Sequence, residues 1–193
     1  MKALLLYLLV VFALVALFLI WIVYRRNRNW RRFAVKYRFN YSQGKSMKKP
    51  VVYGEIQGRP FRLWKTREAT GPGTVGLELV EMSMGILGYV PAGLEVSKRP
   101  VSQAAQDPSE LRSGDAAFDQ VAVVKGETPA EVIRYLSPER RNAILEMLAF
   151  DSADWAGIRG ERAILIDRRM VGTLEDVERR FQFLFDLVKR LDA

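Results

Sequence analysis

Hydrophobic side chains occupy every position of the chain from residue 3 to residue 24, with no charge, glycine or proline among them. As a helix, this run of 22 residues is roughly 33 Å long, which matches a bilayer hydrocarbon core of about 30 Å. Trp21 and Tyr24 at its end, and Tyr7 near its start, fit the headgroup regions where amphipathic rings accumulate. The pattern predicts a transmembrane helix over residues 3–24.

A cleaved signal peptide and a buried core helix are the alternatives for this run. The apolar stretch of a signal peptide spans about 7–15 residues and ends in a small-residue cleavage site. This run is longer and ends in Trp-Ile-Val-Tyr-Arg-Arg. A core helix seldom stays apolar on every face for about six turns. An uncleaved anchor is therefore the favoured interpretation.

Beyond residue 50, short stretches of alternating apolar and polar side chains predict β-strands. Two of the turns between them contain a glycine, as tight hairpin turns often do. A further stretch is interrupted by glycine and proline, which predicts a bent pair of short strands. The predicted strands cover residues 51–56, 61–67, 75–84, 118–124, 154–158 and 163–167, and the bent pair covers residues 86–96.

Patterns that start helices appear in the second half of the chain. Thr128 precedes a proline and a glutamate in a capping-box arrangement, and Ser137 begins a helix over residues 138–150. Thr173 caps the last helix, in which apolar side chains recur at spacings of 3, 4, 3, 4 and 3 residues. That stripe fits either a coiled coil or packing against a sheet, and two further apolar residues beside it favour packing.

These elements predict an α+β fold. We expect an N-terminal transmembrane helix followed by an antiparallel sheet or barrel-like domain of about seven strands, with a helical insertion and a C-terminal helix. The expected parts are a transmembrane anchor over residues 1–24, a basic juxtamembrane segment over residues 25–49 and a soluble domain over residues 50–193. Residues 98–114 are polar and predict an exposed loop.

The charges divide the chain near residue 50. Basic residues number 30 against 22 acidic ones, a net charge of +8. Residues 25–49 hold ten basic and no acidic side chains, whereas the chain from Pro50 onward is slightly acidic. Aromatic residues lie between the basic ones, so RNA binding is an alternative. A positive cluster directly after a spanning helix, however, keeps its flank in the cytoplasm and attracts anionic lipid headgroups. We therefore expect no nucleic acid partner.

The arginines nearest the hydrophobic run are the candidate residues for contact with lipid headgroups, namely Arg25, Arg26, Arg28, Arg31 and Arg32. Apolar residues continue after them at helical spacing, so we expect the helix to extend past the bilayer and to end at Gly44 and Pro50. Lys2 is the one basic side chain on the N-terminal flank. The positive-inside rule therefore predicts an external N-terminus and a cytoplasmic domain.

The chain contains few of the side-chain types that serve in catalysis or metal binding. The chain contains no cysteine and no histidine, which excludes disulfides, thiol or histidine catalysis and Cys/His zinc sites. Asp115 and Asp119 are close in sequence, so an alternative function is a membrane-anchored, metal-dependent hydrolase that uses them. Aspartates in turns of small residues usually have a capping role, which we favour. We expect no catalytic residue, metal or cofactor, and no enzyme activity.

Two short motifs carry a resemblance to a known family. Gly114-Asp115-Ala116-Ala117-Phe118-Asp119 is followed by Leu136-Ser137-Pro138-Glu139-Arg140. On these motifs the chain resembles uncharacterised bacterial membrane-anchored proteins classed as domains of unknown function, over roughly residues 50–193. The resemblance implies a bacterial inner-membrane setting, and it supplies no activity or binding residue.

The sequence thus predicts a single-pass protein of the bacterial inner membrane that presents a non-catalytic interaction domain on the cytoplasmic side. The expected partners are the lipid bilayer, through its anionic headgroups, and an unidentified protein. The domain itself is expected to bind either lipid or protein.

Overall fold

A computed structural model describes residues 2–43, 49–67, 78–100, 109–151, 153–167 and 173–192 of the chain. The helices are α1 (Lys2–Tyr37), α2 (Ala116–Val121), α3 (Pro129–Tyr135), α4 (Pro138–Leu148) and α5 (Leu174–Asp192). The strands are β1 (Asn40–Ser42), β2 (Val51–Ile56), β3 (Arg59–Arg67), β4 (Glu78–Gly85), β5 (Glu95–Lys98), β6 (Ala122–Lys125), β7 (Trp155–Arg159) and β8 (Arg162–Asp167).

The strands form one antiparallel sheet of eight, in the order β1-β2-β3-β4-β8-β7-β5-β6. The sheet is open, because in the described part of the chain β1 and β6 each pair with a single neighbour. The predicted α+β class and the two hairpins, β2–β3 and β7–β8, are confirmed. At the first hairpin turn Gln57 and Gly58 both have positive φ, 49° and 76°, as a two-residue turn between twisted strands requires.

A layer of helices covers one face of the sheet. Helix α5 packs on β4 and β8, α4 packs on α5 and β7, and the second half of α1 packs on α5, β1 and β2. The inner face of α5 is buried at Val177, Phe181, Leu184, Val188 and Leu191. The predicted packing of this helix against the sheet is therefore confirmed. The opposite face of the sheet, which we call the open face, is not covered by the described helices.

Helix α1 continues beyond the hydrophobic run, as predicted, and its second half belongs to the core. Trp30 and Phe33 are fully buried there. The expected helix end at Gly44 and Pro50 is wrong, because α1 ends at Tyr37. Arg38 adopts a positive φ of 58°, and the N–H of Phe39 donates to the Ala34 carbonyl oxygen at 2.8 Å. This reversal places Phe39 in the core and aligns β1 with β2.

Two predicted strand regions have another structure. Residues 86–94 form an irregular segment with a turn at residues 92–93 rather than a strand pair, because the Leu94 N–H donates to the Pro91 carbonyl oxygen and Gly93 has a φ of 68°. Only residues 95–96 of the predicted range belong to a strand, β5. Residues 118–121 belong to α2, since the Asp115 carboxylate caps this helix, and strand β6 begins only at Ala122. The first residues of the strand predicted over 75–84 lie outside the described residues.

The predicted helix starts agree with the structure at all three positions, and two of the three residues make the expected capping hydrogen bond. The Ser137 hydroxyl accepts from the Arg140 N–H at 3.3 Å, and the Thr173 hydroxyl accepts from the Asp176 N–H at 3.1 Å. Thr128 stands at the start of α3, but its side chain makes no capping hydrogen bond, so the predicted capping box does not form. In the loop predicted over 98–114, the Glu110 side chain is buried in an ion pair with Arg99 rather than exposed.

Four phenylalanines join α1, the sheet and α5, and we call them the aromatic cluster. Its members are Phe33, Phe39, Phe61 and Phe181. The Phe33 ring lies 5.3 Å from Phe181 and 5.8 Å from Phe61, centroid to centroid. Aromatic pairs at such distances contribute about 0.5–1.5 kcal/mol each beyond burial. The folded unit therefore includes part of the segment that the charge pattern assigns to a juxtamembrane region.

We predict that Phe33→Ala destabilises the domain by about 3–5 kcal/mol, because it removes a fully buried ring from the core. The matched control is Val35→Ala, on the same helix but 72% exposed, for which we expect a change within about 0.5 kcal/mol. Guanidinium unfolding of the full chain in detergent micelles, followed by tryptophan fluorescence, measures both. Equal effects of the two substitutions would show that α1 contributes nothing to the core.

Candidate functional site

The first half of α1 exposes apolar side chains on every side. Four consecutive residues, 9–12, are exposed, and at 100° per residue they cover the whole circumference of the helix. Such side chains are between 39% and 74% exposed at Tyr7, Leu9, Val10, Val11, Phe12, Leu14, Val15, Leu17, Phe18 and Trp21. No helix among the described residues combines the length and the hydropathy needed to cross a membrane.

A basic surface follows on α1. Arg28, Arg31 and Arg32 are exposed, and with Val35 and Lys36 they line a shallow groove of about 550 Å³. Lys36 Nζ binds both carboxylate oxygens of Glu178 at 2.8 Å, and this hydrogen bonding raises the Lys36 pKa. The three arginines form no ion pair with any described residue. The side chains of Arg25 and Arg26, the other two predicted headgroup contacts, lie outside the described part of the chain.

The two aspartates of the hydrolase hypothesis have structural partners. One Asp115 oxygen accepts from the N–H groups of Ala117 and Phe118, at 3.1 and 3.2 Å, and thereby caps α2. Asp119 is buried, and its carboxylate accepts from both the N–H and the hydroxyl of Ser113, at 3.0 and 2.8 Å. Within the described ranges, no group of three or more potential ligands gathers into a metal site.

The open face of the sheet carries two tryptophan–arginine stacks. The Arg62 guanidinium lies 4.6 Å from the Trp64 ring centroid, and the Arg159 guanidinium lies 4.5 Å from that of Trp155. The Trp155 ring also lies over Gly157, where an added Cβ would come within 2.7 Å of it. Only glycine at this position leaves room for the ring. Each tryptophan ring thus has a guanidinium group lying over it.

Strand pairing brings further charges to the same face. Arg159 is directly opposite Arg162 in the β7–β8 pair, and like charges in such a position repel each other. Trp64, Glu81, Ile166 and Trp155 form one row across four strands. Burial raises the pKa of the half-buried Glu81 carboxyl, while Arg159, Arg62 and Arg162 act in the opposite direction. The open face therefore carries three arginines and three acids, since Glu55 lines the groove with Arg62 and Arg162, and Glu95 lies opposite Arg159 in the β5–β7 pair.

A groove of about 540 Å³ opens between two of these arginines. Arg62 and Arg162 line it together with Glu55, and Ser83 and Tyr53 are among its other lining residues. Sequence reasoning missed this site, although the alternation of Phe61 and Leu63 with polar neighbours was a signal for β3. The pairing of β4 with β8, which is not local in the chain, is what brings the arginines together.

Comparison with known proteins gives no relatives for this chain: no family model, no curated protein and no solved structure matches it. The resemblance to bacterial membrane-anchored proteins of unknown function stays a prediction.

We predict that Asp119→Ala lowers the free energy of unfolding by about 1–3 kcal/mol, because the half-buried N–H and hydroxyl of Ser113 lose their acceptor. Asp115→Ala should cost about 1 kcal/mol through the lost cap. Exposed Asp151→Ala, the matched control, should stay within about 0.5 kcal/mol.

Chemical denaturation with and without Mg²⁺, Ca²⁺ and Mn²⁺ separates these roles from metal binding. We expect no stabilisation of the wild-type chain by any of the ions. Saturable stabilisation that both Asp115→Ala and Asp119→Ala abolish would instead support the hydrolase hypothesis.

Proposed function

We propose that this chain is a single-pass membrane protein that holds a non-catalytic interaction domain at the cytoplasmic face of a bacterial inner membrane. The observation that carries the proposal is the division of α1 into two halves. The first half exposes apolar side chains all round, whereas the second half is built into the core of the domain. One continuous helix thereby joins the domain to its anchor.

The energetics of exposed apolar surface support the anchor. Burial of apolar surface is favourable by roughly 25 cal/mol per Å², so each exposed leucine or phenylalanine of α1 gains on the order of 2 kcal/mol from an apolar environment. A helix that is apolar on all sides has no single face to pack on a neighbour. The uninterrupted run over residues 3–24 in the sequence has the length that a bilayer requires.

The basic surface on α1 supports the proposed orientation, in which the domain lies on the cytoplasmic side of the membrane. Ten basic and no acidic residues lie between Arg25 and Lys49, and a positive flank of this kind stays in the cytoplasm. Arg28, Arg31 and Arg32 have no carboxylate partner among the described residues, which leaves their guanidinium groups available to lipid phosphates. In the proposal, Arg25 and Arg26 extend the same headgroup contact.

The domain itself supports binding rather than catalysis. Asp115 and Asp119 are committed to local hydrogen bonds. The open face, by contrast, presents arginines stacked on tryptophan rings and a groove. No catalytic group is identified among the described residues that line this groove. A surface of this kind suits the recognition of a partner at the membrane.

We predict that proteinase added to spheroplasts leaves the domain intact, because the positive flank keeps it inside. Lysis of the spheroplasts, the control, should make the domain accessible. Carbonate at high pH should leave the chain in the membrane fraction, and deletion of residues 2–24 should release it. Digestion from outside would contradict the orientation, and release of the full chain by carbonate would contradict the anchor.

We predict that Arg28, Arg31 and Arg32 strengthen binding to anionic lipid by on the order of 1 kcal/mol each. The test uses residues 27–193 and vesicles with and without an anionic lipid. Changing all three arginines to glutamine should weaken sedimentation with anionic vesicles by roughly tenfold or more, and high salt should remove the difference.

The matched control changes Arg112, Arg134 and Arg179 to glutamine, an equal change in net charge at other exposed positions. An equal loss of vesicle binding in the control would show that overall charge, and not the surface on α1, determines lipid contact.

A further inference from the structure

Helix α1 passes from its exposed apolar half into the core of the domain without a break. It is one helix from Lys2 to Tyr37. Sharp kinks in helices are found mainly at proline, at glycine or serine, and at bulges. The sequence over residues 25–37 contains none of these three residue types. The segment that joins the two halves therefore has no residue that favours a hinge.

We propose that α1 is a rigid neck that holds the domain directly against the headgroup layer of the membrane, with no flexible linker between the two. This inference rests on the membrane anchor of the proposed function, which carbonate extraction tests separately. It adds to the anchor the height of the domain above the bilayer and the restriction of its movement.

The number of residues between the two halves determines this height. The hydrophobic run ends at residue 24, and in the described part of α1 the first buried side chains are Asn29 and Trp30. Five or six residues of helix advance about 7.5–9 Å. The headgroup layer on each side of a bilayer is roughly 5–8 Å thick, because the hydrocarbon core takes about 30 Å of a total of about 40–45 Å. The domain thus begins where the headgroups end.

The attachment of the neck to the domain is an apolar one. Trp30 and Phe33 are fully buried, and Ala34 is 1% exposed. Separation of α1 from the domain would expose two large aromatic side chains to water, which the hydrophobic effect opposes. The second half of α1 therefore moves together with the sheet and α5.

Polar contacts fix the position of the last turn of α1 on α5. Lys36 Nζ binds the carboxylate of Glu178 at 2.8 Å, and Gln182 Nε2 donates to the Tyr37 hydroxyl oxygen at 3.0 Å. Exposed contacts of this kind add little to the free energy of unfolding. They do, however, define where the end of the neck lies on its neighbour.

The basic surface on α1 lies at the step between bilayer and domain. Arg28 follows residue 24 by four positions, or about 6 Å along the axis, so it lies at the depth of the headgroups. Arg31 and Arg32 lie about 10–12 Å along the axis. Side chains on a helix tilt toward its N-terminus, which in α1 is the direction of the membrane. The long side chains of both arginines therefore extend back toward the lipid phosphates.

The test measures the height and the movement of the domain by fluorescence. The chain contains no cysteine, so the single substitution Val35→Cys, at a side chain that is 72% exposed, places one donor dye on the second half of α1. The full chain is incorporated into vesicles of neutral lipid that carry an acceptor dye on some headgroups. We expect efficient short-range energy transfer, and a donor anisotropy without the large decay of a freely tumbling domain.

The decisive variant inserts ten residues of alternating glycine and serine between Arg28 and Asn29, in the same Val35→Cys chain. A linker of this composition and length has a root-mean-square extension of roughly 17 Å. We expect the efficiency of energy transfer to fall at least twofold and a fast anisotropy decay to appear. The domain keeps Asn29–Tyr37, so its thermal transition should match that of the chain without the insertion.

The matched control carries the same ten residues after the exposed Asp151, between α4 and β7. It should leave energy transfer and anisotropy unchanged, because the neck is intact. Equal signals from the native chain and the chain with the insertion after Arg28 would overturn the proposal, since a domain that already moves freely gains nothing from a linker.

The same vesicles are extracted with carbonate to report on the anchor. Weak transfer from a chain that stays in the membrane would overturn the rigid neck and leave the anchor in place. Release of the native chain by carbonate would instead overturn the anchor, and the neck with it. Strong transfer from a retained chain that only the insertion after Arg28 lowers would support both.

Discussion

The contact between the second half of α1 and the aromatic cluster is the interaction on which the rest of the structure depends. Phe33 on α1 packs against Phe181 on α5 and Phe61 on β3. Two of these elements come from the first third of the chain and the other from its end. Without this contact, α5 loses a neighbour, β1 loses the turn that aligns it with β2, and the helix that leaves the domain loses its fixed direction.

Two ion pairs hold α5 in place in addition to the apolar contact of Phe181. Near its start, Arg180 forms a buried ion pair with Asp167 of β8, at 2.6 Å. At its end, the Asp192 carboxylate pairs with Arg59 and accepts from the N–H groups of Leu87 and Gly88. Removing one partner of such a buried pair is costly, because the other charge is left unpaired. The helix is therefore held against β8 at Arg180 and against β3 and residues 87–88 at its last residue.

Local patterns predicted the elements whose interactions are local. The two hairpins and α5 follow from alternation, turn residues and an apolar stripe, and the structure confirms them. Strand β1 has only three residues, and the packing of Phe39, which lies outside any local pattern, determines it. In the segment around Phe118, capping by Asp115 produces a helix despite the apolar residues that favoured a strand.

The set of charges on the open face could not be predicted from the sequence, because it depends on contacts that are not local in the chain. Arg62, Glu81 and Arg162 meet because β3, β4 and β8 are neighbours in the sheet. Pairing between strands that are far apart in the chain depends on the whole fold, and alternation within one strand does not contain it. The sequence indicated which side chains of β3 face away from the core, but not which charges from other strands join them.

The continuity of α1 has a geometric consequence for the domain. A helix advances 1.5 Å and turns 100° with each residue, so the number of residues between any fixed point in the exposed first half and Trp30 sets the angle of the domain about the helix axis. One residue more or fewer in that interval would turn the open face through more than a quarter of a circle while moving it hardly at all along the axis. The length of this helix thus acts as a rotational setting, which determines the side of the axis to which the open face of the sheet is turned.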